Sequence, residues 1–144
     1  NRAIEVIRQD DDFLSAKKKT TDIPILGRVA AGLPILASEN ISDTVPMATD
    51  FVKDRNLFFL TVQGESMIDA GILDGDQVLI EPVSSAEEGE IIRALIEDAA
   101  TIKTFYRDEE NQRFRLQPEN STMEPIYVDD LKVLGRVIGL YRLF

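Results

Sequence analysis

Short apolar runs, separated by turn-forming residues, follow one another along most of this chain. Strands are predicted at residues 57–62, 74–83, 90–97, 100–107, 113–119 and 132–144, the last with room for two. The second of these runs opens with a turn at Asp74-Gly75. Residues 66–73 (SMIDAGIL) form the only segment in which we expect a helical turn or two. This pattern predicts a mostly β body from Ile23 onward, without a fixed-period repeat.

Three segments before residue 37 have a different character. Residues 24–36 (PILGRVAAGLPIL) contain two Pro and two Gly, which predicts a strand interrupted by a loop. Residues 10–22 are charged and poor in apolar side chains, so we interpret them as a linker. Residues 1–9 (NRAIEVIRQ) are interpreted as the end of another unit. Because the chain opens at Asn rather than Met, we expect it to be a fragment.

The composition removes several classes of chemistry. The 144 residues fit one domain of ordinary size with a short appendage. Without Cys, the chain has no thiol chemistry, thiolate metal site or disulfide, which fits a reducing cytoplasm. Without His, it has neither a Ser-His-Asp triad nor a histidine metal site. We therefore expect no cofactor, and acid–base chemistry near neutral pH from Asp, Glu, Tyr or a perturbed Lys.

The formal net charge of -10 is unevenly distributed. Residues 1–22 hold five basic and five acidic side chains, so residues 23–144 carry the whole net charge. A phosphate-binding surface needs clustered Lys and Arg, and we therefore expect no DNA binding by this body alone. The sequence contains no apolar run near the ~20 residues of a membrane helix and no visible signal peptide, so we expect no membrane partner.

Two polar residues, Ser66 and Lys103, are candidates for catalytic side chains. Ser66 directly follows an apolar strand, and Gly64, two residues before it, permits the tight turn that exposes a nucleophile. Such a Gly-x-Ser is more often only a turn. Lys103 lies in the apolar run TIKTFY, where a strand would place Thr101 and Phe105 on its face. It is either an edge-strand lysine that prevents aggregation or a buried general base with a lowered pKa.

The segment GRVAAG at residues 27–32 has the features of a peptide substrate. Ala31 and Gly32 are small enough for the backbone to lie flat across a nucleophile, and Val29 and Leu33 can anchor the segment on either side. The plainer interpretation is an uncleaved surface loop. Taken together, the three segments suggest a serine–lysine peptidase whose substrate is its own chain.

Four segments, in order, resemble the carboxy-terminal domain of the LexA repressor family. They are GRVAAG at 27–32, GESM with DAGILDGD at 64–76, TIKTFY at 101–106 and LQPENSTMEPI at 116–126. The resemblance runs through essentially all of residues 23–144. The amino-acid sequence of the matching segments is similar to that of family members from Gram-positive bacteria. It implies a LexA/signal-peptidase-like fold of several twisted antiparallel sheets. NRAIEVI at residues 1–7 resembles the last stretch of the family's winged helix-turn-helix domain, the rest of which we expect to be missing.

The resemblance also implies a role for each matching residue. Ser66 would be the nucleophile, Lys103 the general base and Ala31–Gly32 the scissile bond. The backbone N–H of Met67 would lie beside the oxyanion. The loop anchors would be Val29 and Leu33. Residues 23–144 would form the self-cleaving and dimerising domain, after the linker at 10–22 and the winged-helix remnant at 1–9.

Arg93 departs from the family, which more usually has an apolar residue at this point of the strand. If it faces the core, it needs a partner or must extend its charged end to solvent. It could instead belong to a dimer contact.

The function that the resemblance implies is a bacterial, cytoplasmic repressor of the SOS DNA-damage response that cleaves itself. Its partners would be the RecA filament on single-stranded DNA, a second copy of the chain, and operator DNA through the missing domain only. A UmuD-like protein, a phage repressor and a catalytically silent dimerisation module are the alternatives. Leader peptidase shares the chemistry but needs a membrane anchor. The closing residues 137–144 (VIGLYRLF) are either an edge for pairing two bodies or, at Leu143 and Phe144, a cap on the core.

Overall fold

The computed structural model describes residues 19–27 and 35–144, which are dominated by β-strands. The strands are β1 (Thr20–Leu26), β2 (Ile41–Ala48), β3 (Phe58–Thr61), β4 (Gln77–Glu81), β5 (Ile91–Ile96), β6 (Ala99–Asp108), β7 (Arg113–Gln117), β8 (Ile126–Val128) and β9 (Lys132–Tyr141). A single-turn helix α1 (Thr49–Val52) and 3₁₀ turns at Ser38–Asn40 and Ile68–Ala70 accompany them. The predicted remnant at 1–9 and most of the predicted linker lie outside the described residues. β1 begins inside the last three residues of that linker.

Hydrogen bonds join the described strands into one ladder, in the order β2-β1-β3-β4-β9-β5-β6-β7-β8. The pair β1·β3 is parallel, and the other neighbours are antiparallel. The prediction of a mostly β fold is confirmed. It anticipated several sheets, whereas the described strands form one continuous ladder because β9 pairs with β4 over one half and with β5 over the other.

The sequence identified the strongly apolar strands and missed the weak ones. β3, β4, β5, β7 and β9 lie within the predicted segments, and β6 extends one residue beyond its predicted segment at each end. The 3₁₀ turn Ile68–Ala70 lies within residues 66–73. β2 was missed because its side chains are mostly exposed and its apolar and polar residues do not alternate along its whole length. The expectation that only residues 66–73 turn helically was wrong, since α1 follows β2 directly.

The apolar core consists of three clusters along the ladder. One lies around Met67 and Ile80, a second around Ile23 and Phe59, and a third around Ile92, Phe105 and Leu116. The first cluster packs beneath the residues that follow β3, and the third packs beneath β5 and β6. Ile91 of β5 and Ile102 of β6 also pack against the first cluster, which therefore supports both parts of the molecule that carry the predicted site.

β9 changes partner where it passes closest to β4. A Cβ atom added to Gly135 would lie 2.5 Å from Ile80 Cγ2 and 2.9 Å from the backbone oxygen of Glu81. The register also shifts here on both sides of β9, between Leu79 and Ile80 in β4 and between Arg93 and Ala94 in β5. Glycine is required at this crossing because any side chain would push the two backbones apart.

Candidate active site

Ser66 lies on a turn that leaves the end of β3 and is tied to the turn before β4. The backbone of Gly64 has a φ of 90°, which favours glycine, and its N–H donates to Asp74 Oδ1 at 2.6 Å. The Val62 N–H donates to the Asp76 carbonyl, and the Gly75 N–H to the Val62 carbonyl, each at 2.8 Å. These bonds fix the segment from which the Ser66 side chain projects.

A salt bridge between Asp76 and Arg142 stabilises the same region. The Asp76 carboxylate is 4% exposed and accepts hydrogen bonds from the Leu73 N–H at 2.7 Å and from Arg142 Nε at 2.7 Å. The hydrogen bond from Arg142 is the main reason that the pKa of Asp76 is lowered to about 2. The pair therefore stays ionised over the neutral range and joins the chain's closing segment to the turn at residues 71–76.

The loop between β7 and β8 forms hydrogen bonds with the segment around Ser66. Asn120 Nδ2 donates to the Glu65 carbonyl at 2.8 Å, and the Asp69 N–H donates to the Glu119 carbonyl at 2.7 Å. The Ser121 N–H returns a bond to Asp69 Oδ2 at 3.1 Å. The residue just before Ser66 is thus fixed by a residue 55 positions later in the chain.

Lys103 lies in the middle of β6, opposite Ile92 of β5 and one residue before the pairing of β6 with β7 begins at Thr104, and it is buried at 6% exposure. This burial does not fit the interpretation as a solvated edge-strand lysine that prevents aggregation. Its Nζ lies 3.1 Å from Ser66 Oγ, 2.7 Å from Thr101 Oγ1 and 3.1 Å from the Ile102 carbonyl oxygen. No carboxylate forms a salt bridge with it within residues 19–27 and 35–144. Burial lowers the pKa of Lys103 below its usual 10.5.

The three contacts of Lys103 can all be satisfied by a neutral amine. A neutral amine has two N–H donors and one lone pair. Thr101 Oγ1 and the Ile102 carbonyl can accept the two N–H groups, which leaves the lone pair to accept the Ser66 hydroxyl proton. The geometry therefore suits transfer of a proton from serine to lysine.

Met67 lies next to Ser66 and contributes differently through its side chain and its backbone. The side chain is 2% exposed and packs in the first apolar cluster, which fixes the backbone beside the serine. Its carbonyl accepts the N–H groups of Ala70 and Ile72. No hydrogen bond within the described part of the chain uses the Met67 N–H. This donor is therefore available for a negatively charged oxygen near Ser66.

A cleft of about 440 Å³ opens over this pair. Its lining includes Ser66, Met67, Lys103, Arg93 and Gly27. Gly27 is the last described residue before position 35. The predicted scissile bond Ala31–Gly32 and the predicted anchors Val29 and Leu33 lie outside the described residues, so their roles stay predictions.

Arg93 lines the cleft from β5 and is half-buried. Burial lowers the pKa of its guanidinium. The sequence left open a partner, an extension to solvent or a dimer contact for this residue, and the structure places it beside the serine–lysine pair.

Sequence reasoning missed two supporting residues, Thr101 and Asn120. The period of two along β6 already placed Thr101 on the face of Lys103, so the signal for it was present. No signal predicted Asn120, because its contact with Glu65 depends on how distant loops meet.

Comparison with known proteins agrees with this arrangement. A family model described as Peptidase S24-like matches residues 24–138. The LexA repressor of Clostridium kluyveri is 53% identical over 143 residues, which cover 99% of this chain and 67% of that protein. The LexA repressor of Ruminiclostridium cellulolyticum is 57% identical over 136 residues, covering 94% of this chain and 62% of that protein. That of Desulfitobacterium hafniense is 51% identical over 142 residues, covering 99% and 68%.

The chain thus spans about two thirds of the length of these relatives. The family resemblance seen in the sequence is confirmed, including its similarity to members such as those of Clostridium. Since one family model spans most of the chain and several relatives are about half identical to it, the chain belongs to the Peptidase S24-like family and is a relative of the LexA repressors.

Proposed function

We propose that this chain is part of a LexA-type repressor that cleaves its own Ala31–Gly32 bond with Ser66 and Lys103. The observation that carries the proposal is the 3.1 Å contact between Lys103 Nζ and Ser66 Oγ, made by a buried lysine without a carboxylate partner among the described residues. Burial favours the neutral amine, and only the neutral amine can accept the serine proton. Residues 23–144 would form the catalytic and dimerising domain, with the linker and the winged-helix remnant before it.

The reaction begins when neutral Lys103 takes the Ser66 hydroxyl proton and Ser66 Oγ attacks the Ala31 carbonyl carbon. Backbone N–H groups, that of Met67 among them, stabilise the oxyanion. The Lys103 ammonium then gives its proton to the Gly32 nitrogen as the peptide bond breaks, leaving the Ala31 acyl group on Ser66. Water hydrolyses this ester and restores the serine. Because the substrate is tethered, no strong binding pocket is required.

Cleavage has to be restrained in a repressor, and a segment with two positions provides the restraint. In one position residues 27–33 lie away from Ser66, and in the other they enter the cleft and help to desolvate Lys103. An activator need only bind the docked state more tightly than the undocked one. We propose that the RecA filament on single-stranded DNA is this activator and that the output is the SOS response.

The names of the relatives support a repressor. We propose that it pairs with a second copy and holds DNA through a preceding domain. Residues 137–141 of β9 pair with β4, and in the described residues no strand occupies their other edge. Leu140 is 44% exposed, and Leu143 and Phe144 are 78% and 111% exposed, so these last two residues do not cap the core. We propose that two copies pair along this edge. Cleavage would then separate the DNA-binding part from the dimer and lower avidity.

The proposal is tested by incubating the chain at pH 7 and pH 10 and identifying the products by mass spectrometry. We expect one cut between Ala31 and Gly32 that is faster at pH 10. Ser66→Ala and Lys103→Ala should each abolish it, and the double variant should be no worse. Cutting by Ser66→Ala at the same bond would disprove the nucleophile. A chain that stays intact at both pH values, and also with RecA filaments, would instead be a silent dimerisation module.

A further inference from the structure

Arg93 occupies a position from which it can reach whatever enters the cleft. In the register of β5 with β6, it lies opposite Ile102, the residue before Lys103. On its other side it lies opposite Gly135, where β9 has no side chain. Arg93, Ser66 and Lys103 line the same cleft.

Arg93 differs from every other arginine that the structure describes. Four of them form salt bridges with carboxylates, namely Arg55, Arg113, Arg136 and Arg142. Two more lie over aromatic rings, Arg107 over Phe105 and Arg115 over Tyr106. For Arg93, residues 19–27 and 35–144 provide no hydrogen bond, carboxylate or ring. A half-buried guanidinium that lacks such partners has lost hydration without compensation, and it gains from a ligand that supplies acceptors.

The proposed substrate segment starts at Gly27, which lines the cleft, and its composition determines which acceptors it can offer. Residues 27–35 (GRVAAGLPI) contain no acidic, amide or hydroxyl side chain. The acceptors that this peptide can offer are therefore its backbone carbonyl oxygens. A guanidinium has five N–H donors in a planar fork and can serve two such oxygens at once.

We propose that Arg93 positions the substrate peptide, by donating hydrogen bonds from its guanidinium to backbone carbonyl oxygens of the segment that enters the cleft. This inference rests on the proposed self-cleavage. Arg93 stays protonated throughout and touches neither the departing proton nor the oxyanion. Its contribution is to favour the docked state, so it determines how often the segment lies across Ser66 rather than how fast the dyad reacts.

The test compares self-cleavage rates of the chain and of Arg93→Met and Arg93→Lys between pH 7 and pH 10. We expect Arg93→Met to slow cleavage by roughly 10- to 100-fold at every pH, the range for lost hydrogen bonds of a charged group, with the same pH midpoint. Arg93→Lys keeps the positive charge but loses the planar fork of donors, so its self-cleavage rate should lie between those of Arg93→Met and the unaltered chain. Arg107→Met is the matched control, because it removes the same charge from an exposed position on β6 outside the cleft.

A second measurement separates docking from dyad chemistry. Diisopropyl fluorophosphate modifies an activated serine directly and does not need the peptide segment. Mass spectrometry should show Ser66 modified at the same rate in Arg93→Met as in the unaltered chain, with the unfolding midpoint in urea as the check on folding. Unchanged or faster self-cleavage by Arg93→Met would overturn the proposal, as would a shifted pH midpoint or equal loss of both reactions. Failure of the proposed function has a different signature, namely no cutting and no Ser66 modification in the unaltered chain.

Discussion

At the scale of single residues, the site depends on a buried lysine that has no carboxylate partner in the part of the chain that the structure describes. Thr101, Ile102 and Ser66 offer neutral oxygen atoms to its amine. Neutral acceptors satisfy a neutral amine well, whereas a carboxylate would have stabilised the ammonium and raised its pKa. The choice of neighbours therefore keeps the lysine close to the state that can accept a proton.

The pH dependence of self-cleavage follows from this environment. Since burial lowers the pKa of Lys103 from 10.5, we expect the rate without activator to rise from pH 7 and to level off below pH 10.5. The measurement is the first-order rate of chain loss across this range in gels. A rate that stays flat from pH 7 to pH 10 would argue against Lys103 as the base.

The same burial predicts an effect on stability. The folded-state pKa of Lys103 is lowered, so the unfolded chain binds more protons between that value and 10.5, and stability rises with pH across this window. In a Ser66→Ala background, which prevents cutting, Lys103→Met should raise the free energy of unfolding at pH 7 and raise it less at pH 10. Urea unfolding at both pH values measures this difference. If Lys103→Met raised the free energy of unfolding equally at the two pH values, the effect would not come from the lowered pKa of Lys103.

At the scale of elements, the site is assembled by β9, which pairs with β5 along one half and with β4 along the other. β4 follows the serine turn, and β5 pairs with the lysine strand β6. The change of partner near Gly135 therefore brings together two parts of the sheet that are distant in sequence.

Gly135→Ala tests this crossing. Its new Cβ would meet the backbone oxygen of Glu81 at 2.9 Å, so relief requires the strands to separate. We expect a loss of about 1–3 kcal/mol in the free energy of unfolding, typical of overpacking, and slower self-cleavage. Gly139→Ala is the control on the same strand, since its Cβ would lie 3.5 Å from Leu79 Cβ, an ordinary contact. Equal effects of the two variants would mean that the crossing is not tight.

At the scale of the whole molecule, the proposed pairing of two copies rests on the acidic charge of the body and on an edge of β9 that no described strand occupies. The net charge of -10 opposes binding to phosphate groups. Among the residues that the structure describes, no helix combines the length and apolar character that a membrane crossing requires. In the proposed dimer, a second copy would pair with the edge of residues 137–141 that has no strand partner within residues 19–27 and 35–144.

Leu140→Asp tests the pairing edge. A charge at this position would have to be buried between two copies, so we expect the variant to sediment as a monomer at concentrations where the unaltered chain is a dimer. Phe51→Asp is the control, because Phe51 is equally exposed, at 43% against 44% for Leu140, but lies on α1 beside β1 and β2. Dimers that persist in Leu140→Asp would exclude this edge as the interface.

The sequence by itself determined the local features of this protein. Apolar runs marked six strands, Gly64 and Asp74-Gly75 marked turns, and the period of two placed Thr101 beside Lys103, because these depend on neighbours along the chain. It failed for β2, whose exposed residues carry no periodic signal. It failed again for α1, which forms where β2 ends.

Only the tertiary structure decided how distant segments meet. It brought Lys103 within 3.1 Å of Ser66, 37 residues away, and Asn120 within 2.8 Å of Glu65. It also placed Arg93, ambiguous in the sequence, in the lining of the cleft. These contacts depend on strand order and on the crossing at Gly135, which no local pattern encodes. The burial that lowers the pKa of Lys103 arises in the same way, because desolvation comes from the packing of strands that are far apart in the chain.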